Sequence, residues 1–133
     1  MQPHKGVTPA AIKLHKQSQQ LELVYADGQS YKLSAEFLRV LSPSAEVRGH
    51  GSPILQVGKK YVSVIAISAV GNYAIKIEFN DGHDSGLYSW EYLHELCLNQ
   101  TAHWDNYLAA LHDANKSREP ETSVVTLIDP HIH

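Results

Sequence analysis

The chain has a single cysteine among its 133 residues, Cys97, which excludes an internal disulfide framework and a zinc site built on thiolates. A reducing compartment follows as the expectation. Arginine is scarce too, limited to Arg39, Arg48 and Arg118, and the formal net charge is -3. Binding to duplexes requires Lys and Arg clustered against phosphates, so nucleic acid is not an expected partner. No run approaches the roughly eighteen apolar residues of a membrane span. The opening Met1-Gln-Pro-His-Lys5 also lacks the apolar stretch of a signal peptide. No membrane association is expected, and the reading is cytoplasmic. Neither a Gly-x-x-x-x-Gly-Lys phosphate loop nor a Gly-x-Ser-x-Gly elbow occurs.

What the chain does have is an internal repeat offset by about 54 residues, counted along the sequence. Leu21-Glu-Leu-Val-Tyr-Ala-Asp27-Gly28 is answered by Ile75-Lys-Ile-Glu-Phe-Asn-Asp81-Gly82. Ser34-Ala-Glu-Phe-Leu38 is answered by Ser89-Trp-Glu-Tyr-Leu93. Positions shared by the two copies read as architecture, and features carried by one copy alone read as candidates for function. The second turn, His83-Asp84-Ser85-Gly86, is such a feature, as is Trp90 where the first copy has Ala35.

Apolar residues alternate through Ile12–Leu14 and again through Leu21, Leu23 and Tyr25, as in paired strands. Asp27-Gly28 supplies the positive φ of a tight turn, and Tyr31 and Leu33 return the chain. Ser34 is placed to cap a short helix through Phe37, Leu38 and Leu41, with Glu36 in its first turn and Pro43 limiting it. Ser42–Pro53 reads as a loop. The nearly continuous apolar run Tyr61–Ile67 predicts a central strand buried on both faces. Gly71-Asn72 turns the chain into a strand through Ile75, Ile77 and Phe79, and a short strand follows near Leu87. Helices are predicted from Ser89 to about Cys97 and from about Ala102 to Ala114, the latter with Trp104, Tyr107, Leu108 and Leu111 on its apolar face. Ser117–Thr122 reads as a linker, and Val124–Ile128 as an edge strand or a sticky tail segment. The expected fold is α+β: a small, mostly antiparallel sheet with two hairpin-helix repeats and a C-terminal amphipathic helix. One domain spans 1–118, with a flexible tail over 119–133.

Leu38-Arg-Val-Leu-Ser-Pro-Ser-Ala-Glu-Val-Arg-Gly-His-Gly51 and Asp81-Gly-His-Asp-Ser-Gly-Leu-Tyr-Ser-Trp-Glu-Tyr-Leu93 together resemble a bacterial domain of unknown function. That domain is similar to the N-terminal domain of γ-butyrobetaine hydroxylase, and the resemblance runs from about Pro9 to Arg118. In the eukaryotic hydroxylases this domain holds a structural zinc through three cysteines and a histidine, and the catalytic iron lies in a separate jelly-roll domain. Related domains are appended to some P-loop ATPases of iron–sulfur cluster assembly. Carried over residue by residue, the histidine matches His83, while the cysteines fall on Ser42, Ser44 and Val47. Serine hydroxyls and a valine do not close a tetrahedral zinc site, so no zinc is expected there. Gly51-Ser52-Pro53 also departs from the Gly-Pro-Gly that usually follows the family's Gly-His.

The nine histidines invite a metal reading. His94, His103 and His112 recur every nine residues, but two and a half helical turns send successive side chains to opposite faces. His103-Trp-Asp105 matches half of an iron facial triad as a string, yet it falls in a predicted helix with no suitable distant partner. His131 and His133 lie in the tail. Cys97, with no adjacent basic partner, reads as a buried structural thiol.

The candidate binding residues are therefore Arg48, His50, His83, Asp84, Tyr88 and Trp90. Arg48 offers a planar donor fork for carboxylate or phosphate, and glycines on both sides of His50 leave backbone amides accessible. For Tyr88 and Trp90 the core reading is the stronger of the two. No cofactor and no catalytic residue is predicted. The expected function is a non-catalytic accessory domain recognising a protein partner or a small anionic ligand. The alternative is a metal-linked role in iron sensing or delivery to an iron–sulfur or oxygenase system, with His83 and His50 as the ligands of an iron or zinc ion. An enzyme of unknown reaction comes third.

Overall fold

The computed structural model describes residues 7–43, 54–82 and 84–120, and gives 84 and 85 as backbone only. The chain runs β1 (Ala11–His15), β2 (Gln20–Val24), β3 (Ser30–Ser34), α1 (Ala35–Val40), β4 (Val64–Val70), β5 (Ala74–Phe79), β6 (Asp84–Ser89), α2 (Trp90–Leu98) and α3 (Gln100–Asp113). The arrangement is α+β, and the strands divide equally into two antiparallel sheets, ordered β1-β2-β3 and β4-β5-β6. The repeat is thus a three-stranded meander followed by a helix, written twice.

The copies match at the level of single bonds. Gly28 and Gly82 both take positive φ, at 90° and 81°, and each N–H donates back to the carbonyl of the aromatic three residues earlier, Tyr25 or Phe79. Ser34 and Ser89 cap α1 and α2 with nearly identical backbone angles, and their hydroxyls accept from Phe37 N and Tyr92 N at 3.0 and 3.1 Å. The first helical N–H is also spent alike. Ala35 donates to the Gln19 carbonyl at 2.9 Å, and Trp90 donates to the Tyr73 carbonyl at 3.1 Å. Gln19 and Tyr73 each immediately precede the middle strand of their sheet. Each helix start is therefore fastened to its own meander as well as capped.

A shared core lies between the copies. Leu21, Leu23, Leu33 and Leu38 from the first meet Ile75, Ile77, Phe79, Tyr88 and Leu93 from the second, all at 3% exposure or less. Leu38 and Leu93 occupy equivalent places in the two helices. A smaller cluster of Val40, Tyr107 and Leu111 attaches α3 to the back of α1.

Three expectations are corrected. The run Tyr61–Ile67 is not a central strand among the described residues: β4 begins only at Val64, pairs there with β5 alone, and leaves Tyr61 and Ile65 about two-thirds exposed. A continuous apolar run specifies a strand without specifying its neighbours, and here a register shift between Val64 and Ala66 breaks the inward alternation. The start of the expected linker is anchored: Gly58 N donates to Ser117 O and Lys60 N to Arg118 O, both at 3.0 Å. α3 also runs from Gln100, two residues earlier than predicted, and Leu108 on its predicted apolar face is 38% exposed.

Candidate functional site

Arg48, His50 and His83 lie outside the described residues, as does the side chain of Asp84. The backbone of Asp84 opens β6 opposite Glu78. Tyr88 is fully buried and its hydroxyl donates to the Leu38 carbonyl, tying β6 to the other copy's helix. Trp90 is 8% exposed, and its indole Nε1 donates to Asn72 O at 2.8 Å. The polar atoms of both aromatics are committed to the fold.

The second turn carries an asymmetry in its aspartate. In the first copy Asp27, among the described residues, serves its own turn, accepting from Gln29 N at 2.9 Å. Its counterpart Asp81 accepts from Arg39 Nε at 2.8 Å and from Lys59 Nζ at 2.7 Å. Arg39 is 4% exposed, and its second donor reaches Gln56 Oε1 at 3.0 Å. A desolvated guanidinium is tolerable only with such partners, and they come here from two separate segments, the turn after β5 and the stretch before β4.

A concave surface furnished with side-chain chemistry lies elsewhere among the described residues. A cleft of about 400 Å³ opens between the β3–α1 junction and α3, with Lys32, Glu36, Phe37, Trp104, Asp105 and Arg118 on its walls. An ion pair lines it. Arg118 Nε and Nη2 donate to Glu36 Oε2 and Oε1 at 2.8 and 2.7 Å, a two-bond fork that holds Arg118 protonated above its usual range. Glu36 is 7% exposed, whereas the Arg118 side chain remains 35% exposed. The guanidinium also lies 5.0 Å from the Trp104 ring, within cation–π distance. Phe37 stands beside Trp104 with ring centroids 6.4 Å apart. The cleft therefore combines a nearly dehydrated carboxylate with an aromatic wall, and a cation fills the space between them.

Sequence reading missed this group because Glu36 and Arg118 are separated by 82 residues. The one local signal was Glu36 in a first helical turn, which is common on any exposed helix.

Cys97 is 4% exposed, and burial pushes its thiol up to about 11, so it is a poor nucleophile. Its neighbour is the buried Tyr25 hydroxyl, also pushed up by burial. That hydroxyl faces the thiol without a well-aligned hydrogen bond to any group. The His94 ring meets Tyr25 edge-on at 5.1 Å. His103 is paired with Glu95 at 2.7 Å and His15 with Glu22 at the same distance. Among the described residues no three His, Cys, Asp or Glu side chains converge as a metal cluster would require, and no helix there is long and apolar enough to cross a membrane.

The family model described as "Gamma-butyrobetaine hydroxylase-like, N-terminal" matches residues 12–94. Two protein structures solved by NMR in solution are similar over nearly the whole chain. One is 54% identical, with 91% of this chain and 97% of that one covered and a TM-score of 0.76. The other is 51% identical, with coverage of 94% and 96% and a TM-score of 0.74. A crystal structure from Acidithiobacillus ferrooxidans ATCC 23270, of a protein with unknown function in the DUF971 family, is 36% identical. It covers 72% of this chain and 97% of its own length, with a TM-score of 0.58. No curated protein matches the chain.

Proposed function

We propose, from the premise that this chain belongs to the γ-butyrobetaine hydroxylase-like N-terminal family, a family of unknown function, that it is a non-catalytic accessory module recognising a protein partner. Its recognition surface is the cleft between the β3–α1 junction and α3. The observation that carries the reading is the cleft's composition: charged groups of both signs, Lys32 and Asp105, flank an aromatic wall of Phe37 and Trp104. Such mixed surfaces, with aromatics at the centre and polar groups around them, are the usual anatomy of protein recognition. The thiol that could have served as a nucleophile is buried and held protonated, which also favours binding over covalent chemistry.

The test is affinity capture from the native cells with two baits, the unaltered chain and a Thr101→Tyr variant that fills the cleft. Thr101 lines the cleft from the first turn of α3 and is exposed, so the change does not touch the core. The reading expects one protein recovered in near-stoichiometric amount by the unaltered bait and lost from the variant, with both baits giving folded amide spectra. Equal recovery by both would move the binding surface away from the cleft.

A further inference from the structure

Resting on that reading, we infer that the cleft is a receptor for an arginine side chain of the partner, and that Arg118 is a built-in placeholder which the partner's arginine displaces. The chain itself shows what the site accepts. A planar guanidinium makes two bonds to Glu36 and lies over the Trp104 ring, and a lysine ammonium could not reproduce the fork. Glu36 is the fixed half of the pair: it sits on α1, is 93% withdrawn from solvent by its 7% exposure, and belongs to a helix packed on the core. Arg118 is the removable half. It lies past the end of α3, on a strap whose backbone is held by Gly58 N and Lys60 N. Outside the backbone the strap has an exposed Lys60–Glu119 pair, worth little in water.

Arg39, which is buried, has a different setting. Arg39 projects from α1 itself, is 4% exposed, and is shared by Asp81 and Gln56. Replacing it from outside would require opening the fold. Arg118 can leave with its strap while Glu36, Phe37 and Trp104 keep their places. With Arg118 withdrawn, Glu36 and Asp105 face Lys32 alone, and the cleft acquires a net negative charge that favours a cationic guest.

The tether sets how strong that guest must be. A covalently attached group acts at an effective concentration on the order of millimolar, so a free arginine competes poorly. A partner succeeds only if neighbouring contacts on the cleft walls add to its arginine. Displacement therefore confers selectivity, because an arginine presented without those contacts does not open the strap.

The experiment uses N-acetyl-L-arginine methylamide and its lysine counterpart, titrated into the labelled full chain and followed through the Trp104 indole Nε1–H and the amides of Gly58 and Lys60. Arg118→Ala should bind the arginine probe at least tenfold more tightly than the unaltered chain, and the lysine probe no better than the unaltered chain does. In the unaltered chain, high arginine concentrations should shift the Gly58 and Lys60 amides as the strap lets go. Glu36→Gln combined with Arg118→Ala leaves no unpaired buried charge and should bind neither probe. If Arg118→Ala does not fold, Arg118→Gln is read in the same way. Equal arginine binding by the Arg118 variants and the unaltered chain, equal binding of lysine, or persistence in the Glu36→Gln double variant would each overturn the inference. Failure here with capture still lost in the Thr101→Tyr bait removes only the arginine specificity. Failure of both removes the cleft as the recognition surface.

Discussion

Arg39 Nε donates to Asp81 Oδ2 at 2.8 Å, so the helix of the first copy grips the turn of the second. The same aspartate in the first copy, Asp27, among the described residues, serves its own turn. The repeat's asymmetry at this position is thus used to join the two halves. Removing one member of a buried pair leaves the other charge uncompensated. Arg39→Ala should therefore lower stability by about 3 kcal/mol, whereas Lys59→Ala, on the more exposed side of Asp81, should cost less than about 1 kcal/mol. Urea denaturation of the two variants and of Asp81→Asn checks this. Equal small losses would show that the junction rests on the apolar core alone.

Gly28 and Gly82 should each resist substitution for a backbone reason. A Cβ at either position meets no atom within 4 Å, so crowding is absent, but φ of 90° and 81° lies where L-residues are strained. Valine at either site should cost about 1–2 kcal/mol. Similar losses at both sites are expected because the turns are equivalent. A neutral Gly82→Val would mean that the second turn does not need its left-handed residue.

The Cys97 thiol, raised from an ordinary 9.0 to about 11, predicts an alkaline loss of stability. The unfolded chain releases this proton near pH 9 while the folded chain keeps it. Between about pH 9 and 11 the unfolded state therefore binds fewer protons, and stability falls as pH rises. Below pH 9 both states hold the proton and the effect vanishes. Cys97→Ala should flatten the decline between pH 9 and 10, before the tyrosines contribute, and the native thiol should react with a disulfide reagent only on unfolding. Fast reaction of the folded protein at pH 8 would contradict the burial.

Zinc should contribute nothing to stability. The positions matching the family's zinc cysteines are Ser42, Ser44 and Val47, and Ser42 is itself buried at 1% exposure. A structural zinc supplies much of the folding free energy of the domains that use it. The expected result is an unchanged Tm in calorimetry with and without a strong chelator, and a marked drop would assign a metal to this chain.

By itself the sequence determined the features that depend on neighbours along the chain. Asp27-Gly28 and Asp81-Gly82 declare turns because only glycine takes their φ freely, Ser34 and Ser89 declare helix starts because their hydroxyls reach the N–H three residues on, and alternation marks β2 and β5. The repeat made these local signals mutually consistent. Tertiary structure alone decided what lies beside what. Tyr61–Ile67 has the composition of a central strand, yet β4 is an edge among the described residues, because apolar residues record a preference for burial and not the identity of the covering element. Glu36 and Arg118, like Arg39 and Asp81, are unremarkable in their own segments and become partners only when the two copies and α3 close on a common core. Backbone conformation is paid for residue by residue and so is written locally, whereas a desolvated charge finds its partner only where the whole chain has brought one within about 3 Å.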